Sequence, residues 1–169
     1  MQGLTPLRRK FAALKFIALT AALLTSFGTV VILGGAPSHA AEDSALPVIQ
    51  LRAGLYIIHA EVASRPADLQ RGLMFRTQLP QQRGMLFVFP YRQQQCMWML
   101  NTYVPLAVAF LRDDGTIVNI EEMEPLSQSS HCSSEPVRLA LEMNAGWFAQ
   151  RNIKPGDVIR GIPSLPALH

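Results

Sequence analysis

Residues 84–112, GMLFVFPYRQQQCMWMLNTYVPLAVAFLR, constrain the fold more than any other stretch of the chain. They hold three apolar runs, 85–89, 96–100 and 106–111, separated by polar connections. Each run has roughly the five or six residues usual for a strand. The expectation is three consecutive strands at the heart of a small β-rich domain. Alternation puts Cys96, Trp98 and Leu100 on one face of the middle run and Met97, Met99 and Asn101 on the other. Both faces are apolar, which predicts a central strand or one inside a closed sheet.

The flanking sequence supplies further strands. Residues 48–51 and 55–62 are β-rich around an Arg52-Ala53-Gly54 turn. Ser64 is placed to cap a short helix with Pro66 in its first turn, Asp68 complementing its dipole and Gly72 as its stop. Asp113-Asp114-Gly115 predicts a hairpin joining 106–112 to 116–120. Residues 125–136 form a Ser-rich loop. Residues 137–143 suit helix or strand equally by composition, and Asn144 could cap a short helix running to Arg151. A turn at 154–157 and a short strand at 158–160 complete the domain. The tail, 163–169, is expected to be loose.

The first forty residues read differently. Arg8, Arg9, Lys10 and Lys15 make a basic start, residues 16–33 carry no charge, and Ser38-His39-Ala40 offers a small-x-small cleavage site. That is the layout of a secretory signal peptide, with an uncleaved membrane anchor as the rival reading. The expected organisation is therefore a signal at 1–40, a tether at 41–47, one domain at 48–162 and the tail. Export places the protein in the periplasm or outside the cell. The segment 1–40 takes four of the fifteen Lys and Arg and none of the twelve Asp and Glu. Eleven basic and twelve acidic residues remain, and no basic stripe among them suggests nucleic acid.

In an exported chain, Cys96 and Cys132 are read first as a disulfide. No CxxC occurs, so a thioredoxin-like redox role is not indicated. A soft-metal alternative uses Cys96, Met97, Met99, His131 and Cys132, ligands suited to Cu(I). It competes with the disulfide, because oxidised sulfurs supply no thiolate. His59 and Glu61, two apart on one strand, could form an acid–base pair. Arg71 and Arg76 flank an apolar turn and could hold an anion, or make surface ion pairs. No G-x-S-x-G elbow or other nucleophile–base signature is present.

Several linked motifs resemble the domain-of-unknown-function family 192, small bacterial and archaeal domains that often follow a signal peptide. They are Gly72-Leu73-Met74-Phe75-Arg76, residues 84–89 (GMLFVF), residues 97–102 (MWMLNT) with Pro105-Leu106, Gly115, Leu141-Glu142 with Gly146, and Gly156-Asp157. They span about residues 55–161. The resemblance implies a compact β-barrel-like fold with one or two short helices, and it tips 137–143 toward strand. It implies no reaction. Two polar family positions are replaced here, a Lys by Leu100 and an Asp by Ala107.

The expected function is a non-enzymatic module of the cell envelope that binds a small ligand or a partner protein. Its candidate binding residues are Arg76, Asn101, Thr102, Arg71 and Glu142. No cofactor, resident metal or nucleic-acid partner is expected. The membrane is involved only through the N-terminal segment, if it stays uncleaved. The alternative function is a hydrolase-type enzyme using Glu142, His59 or His131 as base.

Overall fold

The computed structural model describes residues 45–163. The expected signal, the start of the tether and most of the tail lie outside them. Among the described residues, no helix is long and apolar enough to cross a membrane.

The domain is mainly β, a curled seven-stranded half-barrel sheet with one lone short helix. In chain order the elements are β1 (Val48–Ala53), β2 (Tyr56–Ala63), α1 (Pro66–Arg71), β3 (Arg83–Gln93), β4 (Cys96–Met97), β5 (Leu106–Leu111), β6 (Ile117–Met123), β7 (His131–Cys132), β8 (Val137–Asn144) and β9 (Ile159–Arg160). The sheet order is β6-β5-β8-β3-β2-β1-β9, and β4 and β7 pair separately. All pairings are antiparallel except β2 with β3, whose parallel register needs a crossover. The segment carrying α1 provides it.

Period-two alternation splits the sheet's buried residues into two cores. On one face lie Leu86, Ala107, Ala109, Leu111, Leu139, Leu141 and Met143, closed by Trp147 and Phe148. On the other lie Met85, Phe87, Leu106, Val108, Phe110 and Ala140, covered by Leu73, Leu79, Met99 and Val104 from the connections. Strands β5 and β8 are buried along almost their whole length, which explains their near-continuous apolar sequence. Gly84, the second residue of β3, lets that strand lie close to β8, since a side chain there would strike the Glu142 carbonyl and the Met143 sulfur.

Four expectations need correcting. Residues 96–100 are not a central strand. Only Cys96 and Met97 are extended, in the two-stranded sheet, and the chain then turns away, leaving Trp98 53% exposed and Met99 buried. Both faces of this run are apolar because it packs over one core, not because it lies inside the sheet. The central position belongs to β8, so 137–143 is strand. The residue before α1 is Arg65, whose guanidinium bonds Asp68, and no side chain caps the helix, so Ser64 has no capping role. The first hairpin turns at Gly54-Leu55, since Ala53 pairs with Tyr56. The expected helix after Asn144 is a single 3-10 turn, Ala149–Arg151.

Candidate functional site

A cavity of about 340 Å³ opens between α1, the turn after it, and the face of the sheet that carries the second core. Its helix side is formed by Leu69, Gln70 and Arg71 with Gly72, Leu73 and Met74. Phe87 and Phe89 of β3 form the sheet side, their rings stacked with centroids 6.2 Å apart. Cys96, Met97 and Trp98 close a third side, and Thr102 and Glu142 supply buried polar groups.

The local sequence explains why each wall stands where it does. Gly72 takes φ 48°, a left-handed value easy for glycine, and so ends α1 and turns Leu73 and Met74 toward the sheet. The third wall is fastened by the Cys96–Cys132 disulfide, which joins residues directly opposite in the β4–β7 ladder. Ser133 reinforces it: its N–H donates to the Gln95 carbonyl and its Oγ accepts from the Gln95 N–H, at 2.8 and 3.0 Å. Asn119 of β6 donates to the Cys132 carbonyl at 3.0 Å.

Glu142 is the unusual member. It lies on β8 opposite Met85 of β3 and Val108 of β5, inside the sheet, and is 3% exposed. Among the described residues, no hydrogen-bond donor or cation pairs with its carboxyl group. Burial alone pushes its pKa up to about 8. Thr102 is nearly as buried, but its hydroxyl donates to the Leu100 carbonyl at 3.3 Å. Its backbone is also committed, the N–H to Met99 and the carbonyl to the N–H of Leu126, both at 3.0 Å.

A second cavity, about 410 Å³, lies on the other side of the same turn, and Arg71, Gly72 and Met74 line both. Here Arg76 forms a bidentate pair with Glu61, at 2.8 and 2.6 Å, and Arg83 approaches the same carboxylate at 3.6 Å. The Arg76 bonds hold Glu61 below the usual carboxylate range, although its partial burial opposes them. Glu61 is therefore committed to arginines and is not half of an acid–base pair with His59.

Of the five candidate binding residues, Arg71, Thr102 and Glu142 line the first cavity together, and Arg76 lines the second. Asn101 lines neither. It sits at φ 55°, a conformation asparagine tolerates, and its carbonyl accepts from the Phe75 N–H at 2.8 Å, which makes it a turn residue. Glu142, a candidate from the sequence, proves to be interior, which its sequence neighbourhood did not reveal. The sequence did not mark Phe87, Phe89, Met97 and Trp98 as cavity walls, because an apolar residue in a β-rich run reads as core whether or not space lies beside it. His59 and His131 line neither cavity. Cys96 and Cys132 are oxidised and supply no thiolate, and no group of three or more metal-ligating side chains occurs among the described residues. Leu100 is 41% exposed, while Ala107 is fully buried on the sheet face away from Glu142, so the two replaced family positions do not meet in one site.

A curled β half-barrel with a mainly apolar cavity beside its short helix, and a buried acid lining that cavity, defines a small β domain with a candidate ligand site. The chain belongs to the DUF192 family, whose profile, described as "Uncharacterized ACR", matches residues 48–161. Among solved structures it resembles a protein described as a candidate transcription regulator from Sinorhizobium meliloti 1021. The two share 37% identity at a TM-score of 0.63, over 68% of this chain and 92% of the other. A protein of unknown function from Novosphingobium aromaticivorans DSM 12444 matches at 31% identity and a TM-score of 0.66, over 70% and 89%. No curated protein matches the chain.

Proposed function

We propose that the chain is exported on the signal at 1–40 and that its domain is a non-enzymatic envelope module binding a small, mainly apolar molecule in the 340 Å³ cavity. One observation carries this reading. Glu142 is a buried, ionisable group with no hydrogen-bond partner among the described residues, and it lines a cavity whose walls are mainly aromatic and aliphatic, with Gln70, Arg71 and Thr102 as its other polar residues. Burying an unpaired carboxyl costs several kcal/mol in an apolar core, and few polar groups among apolar walls is the usual make-up of a small-molecule site.

The test is a fragment screen read from amide chemical shifts of the oxidised protein. Hits are expected to perturb Leu73, Met74, Phe87, Phe89, Trp98 and Glu142 together. Hits that map to other surfaces, or none across a diverse library, would sink the reading. Export is tested separately by the intact mass of protein recovered from the envelope fraction, which should begin at Ala41.

The raised Glu142 pKa also suits a general acid or base, the group a hydrolase would use. Against that reading, no histidine or second acid lines the cavity with it. The transcription-regulator description of the Sinorhizobium relative finds little support in the charges. Arg76, Arg92 and Arg112 each face a carboxylate, Glu61, Asp113 and Glu135, rather than forming a phosphate-binding stripe.

A further inference from the structure

We propose that the cavity selects organic cations: its ligand is a small amphipathic amine whose ammonium reaches Glu142 and Thr102 while its apolar body lies against Phe87, Phe89 and Trp98. This rests on the ligand-binding reading above and assigns its ligand class.

The two buried polar side chains of the cavity, Thr102 and Glu142, can offer acceptors, whereas the lining residues that carry donors, Gln70, Arg71 and Trp98, are exposed. Thr102 has already donated its hydroxyl proton to the Leu100 carbonyl, so its Oγ1 presents lone pairs. Its backbone N–H is taken by Met99. The ionised Glu142 group has acceptor sites on two oxygens and no donor. Its strand neighbours Met85 and Val108 answer none of them. A ligand that satisfies this set must bring donors. An ammonium brings three, together with the charge that a buried carboxylate lacks. The aromatic wall favours the same choice, because ring faces attract cations and the attraction strengthens when water is excluded. Once Glu142 is ionised, a carboxylate or phosphate ligand would instead face it as a like charge. Arg71 is the one guanidinium among the lining residues. It is exposed and takes part in other interactions, whereas Glu142 is the buried ionisable group of the cavity.

Protonation makes the assignment measurable. With its pKa near 8, Glu142 carries its proton at neutral pH in the empty protein. An ammonium favours the carboxylate, so binding near pH 7 releases close to one proton. Affinity then rises with pH until Glu142 is ionised, by about twentyfold between pH 6.5 and 8.5, while an amine of ordinary pKa stays charged.

The probes are 2-phenylethylamine, its neutral isostere 2-phenylethanol, and the anion phenylacetate, titrated by calorimetry into the full oxidised chain in buffers of different ionisation enthalpy. The amine is expected to bind at least roughly tenfold more tightly than the alcohol at pH 8.5, as one buried charged hydrogen bond implies. It should also release a proton near neutral pH and lose its advantage over the alcohol in Glu142→Gln. Should Glu142→Gln fail to fold, proton release and amine-over-alcohol selectivity in the unaltered protein decide alone. If the alcohol or phenylacetate binds as tightly as the amine, or amine binding releases no proton, the cation assignment falls and the cavity remains a ligand site. If none of the three binds, the cation assignment falls and the ligand-binding reading loses support with it.

Discussion

Replacing Glu142 by Gln should make the protein more stable at pH 8 and leave it nearly unchanged at pH 5. Gln keeps the shape of the side chain and removes its titration. In the wild type, burial raises the carboxyl pKa from about 4.5 to about 8. A raised pKa means that the folded state holds the proton more tightly than the unfolded chain does. The stabilising contribution is therefore complete below about pH 4.5 and is lost as pH rises toward 8. Each pH unit in that window costs about 1.4 kcal/mol. The whole loss is on the order of 5 kcal/mol, as large as the total stability of many small domains.

The assay is urea unfolding of the oxidised protein at pH 5, 6, 7 and 8, followed by the fluorescence of Trp98 and Trp147. Wild-type stability should fall along this series, and the Gln variant should fall much less. The two proteins differ only at residue 142, so the difference between the two curves isolates Glu142. A flat difference, or a Gln variant less stable at pH 8, would refute the reasoning. It would mean that water in the cavity solvates the carboxylate well enough to keep it ionised at neutral pH.

Three further outcomes follow from the geometry. Reducing Cys96–Cys132, or replacing both by Ser, frees a 36-residue sequence separation and should lower stability by about 4 kcal/mol in urea unfolding; it should also broaden the amide signals of Met97 and Trp98, because the bond fastens their wall. Gly84→Ala drives a methyl group into the backbone of β8 at Glu142 and should cost about 2–3 kcal/mol, measured the same way. Glu61→Gln leaves Arg76 without its carboxylate and should cost about 2 kcal/mol at pH 7; because the Glu61 pKa is depressed, this difference should shrink as pH falls below about 4.5.

Much of the fold was legible in the residues. The runs that became β1, β2, β3, β5 and β6 carry strand composition, and Gly115 at φ 84° marks the hairpin that Asp113-Asp114-Gly115 announced. The disulfide followed from two cysteines in a chain with an export-like start. One misplacement and one ambiguity share a cause, which is that periodicity reports which residues are buried and not what buries them. Residues 96–100 are apolar on both faces because Met99 enters a core while Cys96, Met97 and Trp98 wall a cavity. Residues 137–143, VRLALEM, are good helix formers, and only their pairing with both β3 and β5 settles them as the inner strand.

That strand carries the one contrast that makes the cavity more than a packing defect. Arg138 and Glu142 are four apart on β8, so both project from the same face, and both are at most 5% exposed. Arg138 is answered: its Nε lies 3.6 Å from an Asp113 oxygen, and it has further interactions. Glu142 is answered by space. A leucine there would fill that space and avoid the cost of the unpaired acid, so the glutamate is a poor choice for stability alone. A cationic ligand would remove the same cost that the pH series measures. Ligand stabilisation of the fold should therefore be larger at pH 8, where the unliganded acid is most costly, than at pH 5, where it is already neutral.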